Sequence, residues 1–368
     1  MKGNGMNYSE YILLSLIDQV TLAESPPLNS SLLYHIVTGK NTSYQWVKLA
    51  ELHVYSFFAV FPSLTQDVFN QQISRMERQG LISCNKQNGQ KNNRDLIDIT
   101  ERGKRFLASY RRQWPMIRCD EQARYYNLKS IIMKSFVQVN QYISAYSADV
   151  KITEPYIMDE ALQAFVRDFW IKYLSADRLQ EYLTSLYRQL EVLPPLVADI
   201  FMASLVGRPE TFNPTSEQLT TYFKVSSSYL EDIYWQLLVS LKQENQLISN
   251  LFAEAVKVFG IVPVTYQKSV DLYQRSYSLD KIATLRQLKA STIVEHLFLY
   301  SLLIPDFSFR NNHDPLLIKQ TRQYIEQCQK SKKRLLFSDL KKRIGRDNLP
   351  YSYVLFARIS LTGGVPWH

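Results

Sequence analysis

The side chains able to do chemistry in this 368-residue sequence are scattered, and the short patterns they form are incomplete. Five histidines (His35, His53, His296, His313, His368) and three cysteines (Cys84, Cys119, Cys328) lie far apart. They form no CxxC pair and no close His/Cys spacing of the kind a structural zinc needs. A phosphate-binding loop of the G-x-x-x-x-G-K-[ST] type needs an earlier glycine and a hydroxyl after the lysine. Around Gly39-Lys40 those two places hold Tyr34 and Asn41. Asp339-Leu340-Lys341 has the D-x-K form of a metal-dependent nuclease core, which wants a strand and an earlier acid; here it falls in a short basic helical pattern. Asp159-Glu160 are adjacent at a helix start, where the helix dipole alone favours acids. The expectation is a protein without a catalytic centre, a metal or a small-molecule cofactor.

Basic and hydroxyl side chains do concentrate, in the stretch 276–303. Two helical patterns lie back to back there, 279–285 and 290–302, with Arg286-Gln287-Leu288-Lys289 between them. Ile282, Ala283 and Leu285 would face inward in the first, and Ile293, Leu297 and Tyr300 recur at helical spacing in the second. A small residue, Ala283, lets the second helix cross close over the first. This is helix-turn-helix grammar, in which the second helix enters the major groove with its N-terminal residues first. Those residues are Lys289, Ser291 and Thr292.

Charge supports a polyanion partner. The net charge is +9 overall, but residues 264–368 hold 17 Lys+Arg against 8 Asp+Glu, and residues 75–134 hold 14 against 6. Residues 135–263 are acidic, 9 against 15. Each basic segment also carries a helix-turn-helix-like pattern, a combination that suits DNA, whether duplex, forked or single-stranded, better than a merely solvated face.

The elements that would position these residues are mainly helical. With 46% hydrophobic residues the chain is globular, and its length suits two or three domains. Segment 7–24 reads as an amphipathic helix and 43–58 as another, with Trp46, Leu49, Ala50 and Val54 on one side. A helix over 65–79 would hold Val68, Ile73 and Met76 inward and Gln66, Asn70, Gln71 and Arg75 outward, with Gly80 at its end. A strand at 81–84, a polar loop at 85–94 with Lys86, Lys91 and Arg94, a strand at 96–99 and a helix from 101 follow. Helix, strand, basic loop, strand, helix is a winged-helix order, which serves DNA in some proteins and protein contacts in others. Residues 120–147 read as one long helix whose Arg124, Tyr125, Tyr126 and Lys129 would stack single-stranded bases or pack against neighbours. The acidic middle is helical, and 214–241 resembles another helix-turn-helix with Glu217, Glu231 and Asp232 at its surface. The expected architecture is a winged-helix-like domain at 1–113, a helical scaffold at 114–262 and a helix-turn-helix domain at 263–368.

At 277–297 the sequence resembles the helicase helix-turn-helix domain found at the C-terminus of some RecQ-type helicases and of YpbB-like bacterial proteins. Ser278, Ile282-Ala283, Arg286, Leu288, Ser291-Thr292-Ile293 and His296-Leu297 carry the resemblance. Gln287 stands where that pattern usually has a glycine, which would supply a positive φ. Because no motor precedes the domain, the layout is more similar to YpbB-like proteins than to a helicase. The resemblance implies a DNA-binding accessory of a RecQ-type helicase in repair or recombination, working in the cytoplasm at the nucleoid. Lys281, Arg286 and Lys289 would clamp phosphate, although Arg286 is equally placed to hold the turn by bonding helix carbonyls. Ser291 and Thr292 would touch phosphate or base edges, or cap the second helix. His296 would touch DNA or pack beneath the helix. Lys332, Lys333, Arg334, Lys341, Lys342 and Arg343 would add sequence-independent, salt-sensitive affinity. Two other functions fit the same residues: a winged-helix transcription regulator, and a cryptic nuclease using Asp339.

The short apolar run 11–17 reads as a core helix, not a signal peptide, and no run of about 18 apolar residues marks a membrane span.

Overall fold

The computed structural model describes the chain outside residues 1–6, 23–27, 87–94, 113, 116, 118, 152–154, 206–213, 305–306, 308, 310–312, 331–336, 347–350 and 363–368. The architecture is mainly α: eighteen α-helices and three short strands among the described residues. The chain divides into two compact units, Met1–Thr38 with Ser56–Ile261, and Gly39–Tyr55 with Val262–His368. Residues 39–55 therefore leave the N-terminal half and belong to the C-terminal unit, a division that differs from the segments 1–113, 114–262 and 263–368 expected from local sequence.

The first unit opens with α1 (Tyr8–Leu22), β1 (Leu28–Asn29) and α2 (Ser30–Thr38). Helix α1 is buried on nearly every side, Glu10, Ser15 and Asp18 included, so it is a core helix, as the apolar run 11–17 suggests, without the polar face expected of an amphipathic one. The next helix in sequence is α3 (Ser43–Leu52), which belongs to the second unit. It is shorter than expected because His53 turns into the left-handed region at φ 52 and Tyr55–Phe57 form a 3-10 turn.

Back in the first unit, α4 (Gln66–Arg78) is capped by Thr65, whose hydroxyl accepts from the Val68 N–H. It leads through Gly80, at φ 67, into β2 (Ile82–Lys86), β3 (Asp95–Ile99) and α5 (Glu101–Tyr110). The strands form an antiparallel sheet in the order β1-β3-β2, with Leu28 opposite Ile97 and Ile82 opposite Ile99. Thr100 caps α5 by accepting from the Gly103 N–H and donates to the Gly80 carbonyl. A Cβ at Gly103 would collide with the Leu81 carbonyl, so only glycine lets α5 start this close to β2. On α4 the inward residues are Phe69, Ile73 and Met76, while Val68 is 44% exposed. Ile73 and Met76 face inward as expected, and Phe69, one residue on, takes the place expected for Val68.

The rest of this unit is helical. A 3-10 segment, Asp120–Leu128, precedes α6 (Lys129–Ala148), in place of one continuous helix. Tyr125 is buried against Phe252, with ring centroids 4.8 Å apart, and Tyr126 packs on Phe58, so these rings build the core and do not offer stacking faces. Then come α7 (Glu160–Tyr173), α8 (Ala176–Glu191), α9 (Pro195–Ser204), α10 (Ser216–Phe223), α11 (Ser227–Leu241) and α12 (Gln246–Phe259). Asn245 caps α12 and separates it from α11. Asp232, expected at the surface, is buried; it accepts from the Tyr8 hydroxyl and the Gln236 amide.

The second unit consists of α3 and six further helices: α13 (Val264–Gln274), α14 (Leu279–Arg286), α15 (Ala290–Leu303), α16 (Pro315–Lys330), α17 (Phe337–Ile344) and α18 (Ser352–Leu361). Helix α3 packs on α15 and α18. Arg358 of α18 donates to Glu51 Oε1 from Nε at 2.7 Å and lies 2.6 Å from the same oxygen through Nη2, a charge-assisted contact that ties α18 to α3. The Tyr266 hydroxyl donates to the Asn41 carbonyl. Leu317, Ile325, Leu340, Tyr353, Val354 and Ala357 form the core shared by α16, α17 and α18.

Candidate nucleic-acid interface

Three helices assemble the site, and their sequence explains each turn. After α13, Ser276 takes φ 64 and Ser278 caps α14 by accepting from the Lys281 N–H. Helix α14 ends on Gln287, at φ 51 and ψ 42, whose N–H reaches the Ala283 and Thr284 carbonyls. The Leu288 N–H closes on the Ala283 carbonyl at 3.0 Å. The position that the sequence pattern reserves for glycine is therefore left-handed here too, and glutamine occupies it at a cost of roughly 1 kcal/mol. Lys289 then begins α15 without a side-chain cap. Val270, Ile282, Ile293 and Leu297 are fully buried and hold the three helices together. Leu285, expected inward, is 51% exposed, because α14 is only two turns long and Ile282 alone fills its core position.

Two expected DNA contacts, half-buried Arg286 and buried His296, are engaged by neighbouring helices. The Arg286 guanidinium donates from Nη1 to the Thr265 carbonyl at 2.8 Å and the Ser269 hydroxyl at 2.6 Å, and from Nη2 to the Thr265 hydroxyl at 3.1 Å. It ties α14 to α13 and is not directed at a ligand. His296 is 6% exposed; its ring stacks on Tyr266 at 4.3 Å and its Nδ1 lies 2.9 Å from the Ser269 hydroxyl. Burial, helped by the nearby Arg286 cation, pulls its pKa down to about 4, so at neutral pH the ring is uncharged. Both residues thus help to hold the helix-turn-helix together, Arg286 by bonding α13 and His296 by packing beneath α15.

The remaining expected contacts divide by position. Lys281, Lys289 and Ser291 are exposed and Thr292 is half-buried; Thr292 lies inside the first turn of α15, where its N–H meets the Lys289 carbonyl, so neither hydroxyl residue is the cap. Lys268 and Arg275 are exposed on α13 and its end, and no motif in the sequence singles them out. On α17, Lys342 and Arg343 are exposed, with Arg343 5.9 Å from the Tyr324 ring and Lys341 5.0 Å from that of Phe337. Lys332, Lys333 and Arg334 lie outside the described residues. Asp339 sits in the first turn of α17, a helix and not a strand, and no cluster of metal-ligating side chains occurs among the described residues.

In the first unit, Gln66, Asn70 and Gln71 are exposed on α4, and the Gln66 amide donates to Asn70. Arg75 is drawn to Glu10, 3.4 Å away, and so braces α4 against the start of α1. Lys91 and Arg94 lie outside the described residues, as does the side chain of Lys86. Among the described residues no single helix is long and apolar enough to cross a membrane.

Residues 265–353 match the family model described as a helix-turn-helix domain, which covers α13 to the start of α18. No solved structure matches the chain. Over 315 residues the chain is 22% identical to Protein YpbB of Bacillus subtilis (strain 168), an alignment spanning 82% of this chain and 84% of that protein. The chain is thus similar to Protein YpbB at a low level along most of its length and carries a C-terminal helix-turn-helix domain, a feature that points to DNA.

Proposed function

We propose that this protein is a DNA-binding accessory, without catalysis of its own, that acts beside a RecQ-type DNA helicase in repair or recombination. The observation that carries the DNA part is the α13–α15 core. It has a tight left-handed joint at Gln287, and Lys281 and Lys289 stand exposed around the open first turn of α15. The helicase partner rests on the resemblance of 277–297 to a domain of RecQ-type helicases, together with the similarity to YpbB. Such an accessory would work in the cytoplasm, at the nucleoid. Affinity capture of the tagged full chain from its source cell is expected to bring down a RecQ-type helicase. Capture without one, in the presence of intact DNA, would remove the partner from the account.

A second reading has its own observation. The order α1, β1, α2, α4, β2, β3 with sheet order β1-β3-β2 supports reading this unit as a winged helix, with 39–65 inserted before α4 as its recognition helix. Gln66, Asn70 and Gln71, residue types that bond adenine edges, would then face a groove. A regulator of this kind binds one operator far more tightly than random DNA.

A further inference from the structure

In helix α15, the face that begins at Ser291 continues by helical spacing through Val294 and Glu295 to Phe298. In a helix that lies along the major groove this face would meet the bases. Here it is closed. The Glu295 carboxylate accepts from the Ser43 N–H at 3.0 Å and the Ser43 hydroxyl at 2.8 Å, which seats the N-terminal end of α3 on it. Phe298 is fully buried and meets the Phe356 ring of α18 edge-on at 5.1 Å. A single helix is about 10–12 Å across and the major groove about 12 Å wide. Helix α15 with α3 laid on its outward side is two helices thick and cannot enter broadside.

Only the first turn of α15 remains open, and its chemistry suits phosphate. Lys289 and Lys281 are long, exposed and cationic; Ala290 and Ser291 are short. No Arg, Asn or Gln, the side chains that make paired bonds to base edges, stands in that turn. We infer that the second unit binds DNA through the phosphate backbone at the first turn of α15 and does not read base sequence, with α3 as the element that closes the reading face. This inference rests on the DNA-binding reading above and names the class of DNA involved: any sequence.

The test uses the full chain carrying Gln66→Ala, Asn70→Ala and Gln71→Ala together, so that α4 cannot supply a sequence preference. These three are exposed, and their removal leaves both cores intact. Selection from a random-sequence duplex pool, followed by anisotropy on individual duplexes, is expected to give no consensus and affinities within about threefold of each other. Adding Lys281→Ala and Lys289→Ala should weaken every duplex by the same factor. A consensus in which single base-pair changes shift affinity by about tenfold or more would overturn the inference while leaving DNA binding intact. Failure to bind any duplex at low salt would instead remove the DNA-binding reading, and this inference with it.

Discussion

Helices α10 and α14 are both eight residues long and both end on a non-glycine residue in the left-handed region, Lys224 at φ 55 and Gln287 at φ 51. Both bury an aliphatic side chain five residues before that point, Leu219 and Ile282. Both return the next N–H to the carbonyl five residues before it, Val225 to Thr220 and Leu288 to Ala283. The helix that follows begins differently. Ser226 caps α11 by accepting from the Tyr229 N–H, whereas Lys289 gives α15 no side-chain cap. Glu217 and Glu231 stand around the start of α11; Lys281 and Lys289 stand around the start of α15. The joint is therefore a backbone solution for crossing two helices. Whether such a pair suits DNA depends on uncapped N–H groups and charge at the second helix, and only α15 has both in the favourable sense.

The largest expected effect tests what the pairs share. Ile282→Ala and Leu219→Ala should each cost about 2–5 kcal/mol in denaturant unfolding, since each empties the core place of a two-turn helix. At a temperature where both variants are still folded, only the Ile282 variant should lose DNA affinity. Equal losses would mean that the acidic pair also serves DNA.

Nine residues after the left-handed joint, α11 has Ile233 and α15 has His296, and this difference predicts a pH effect confined to the second pair. The groups facing His296 are Ser269, Tyr266, the Arg286 cation and Glu295. Its pKa is about 4 in the fold against the usual 6.5. Above pH 6.5 the ring is neutral in both folded and unfolded chains and costs nothing. As pH falls from 6.5 toward 4 the unfolded chain takes up the proton first, and stability declines by on the order of 3 kcal/mol. An NMR titration of His296 should give a midpoint near 4; an ordinary midpoint near 6.5 would contradict its place in the core.

Smaller effects come from the surface and the joint. Lys281→Glu with Lys289→Glu should lower the slope of log affinity against log salt by about 2, roughly one for each phosphate that is no longer neutralised. Glu217→Gln with Glu231→Gln should leave that slope unchanged. Gln287→Gly and Lys224→Gly should each stabilise by about 0.5–1 kcal/mol, because glycine adopts the left-handed region without a Cβ penalty. A gain at one joint alone would show that the two are not the same device.

Much of the α14–α15 pair is legible in the sequence because its determinants are local. Ile282, Ala283, Ile293 and Leu297 keep a helical period, and the turn position is marked by what should be glycine. Errors arise where neighbours distant in sequence decide. Periodicity alone cannot choose between Val68 and Phe69, or see that Asp232 meets a hydroxyl from Tyr8, 224 residues away. Arg286 looks like a phosphate clamp until Thr265 and Ser269 are seen to take its donors. The seat of Ser43 on Glu295, 252 residues apart, has no local signature at all. That contact moves 39–55 out of the N-terminal half and closes the face a sequence reader assumes to be open.

The most direct measurement is a salt titration of DNA binding by the full chain, followed by fluorescence anisotropy on duplexes of unrelated sequence. The account predicts parallel lines, with affinity falling steeply between about 50 and 200 mM salt and the same slope for every sequence. Absence of binding at the lowest salt, or a slope near zero, would contradict it.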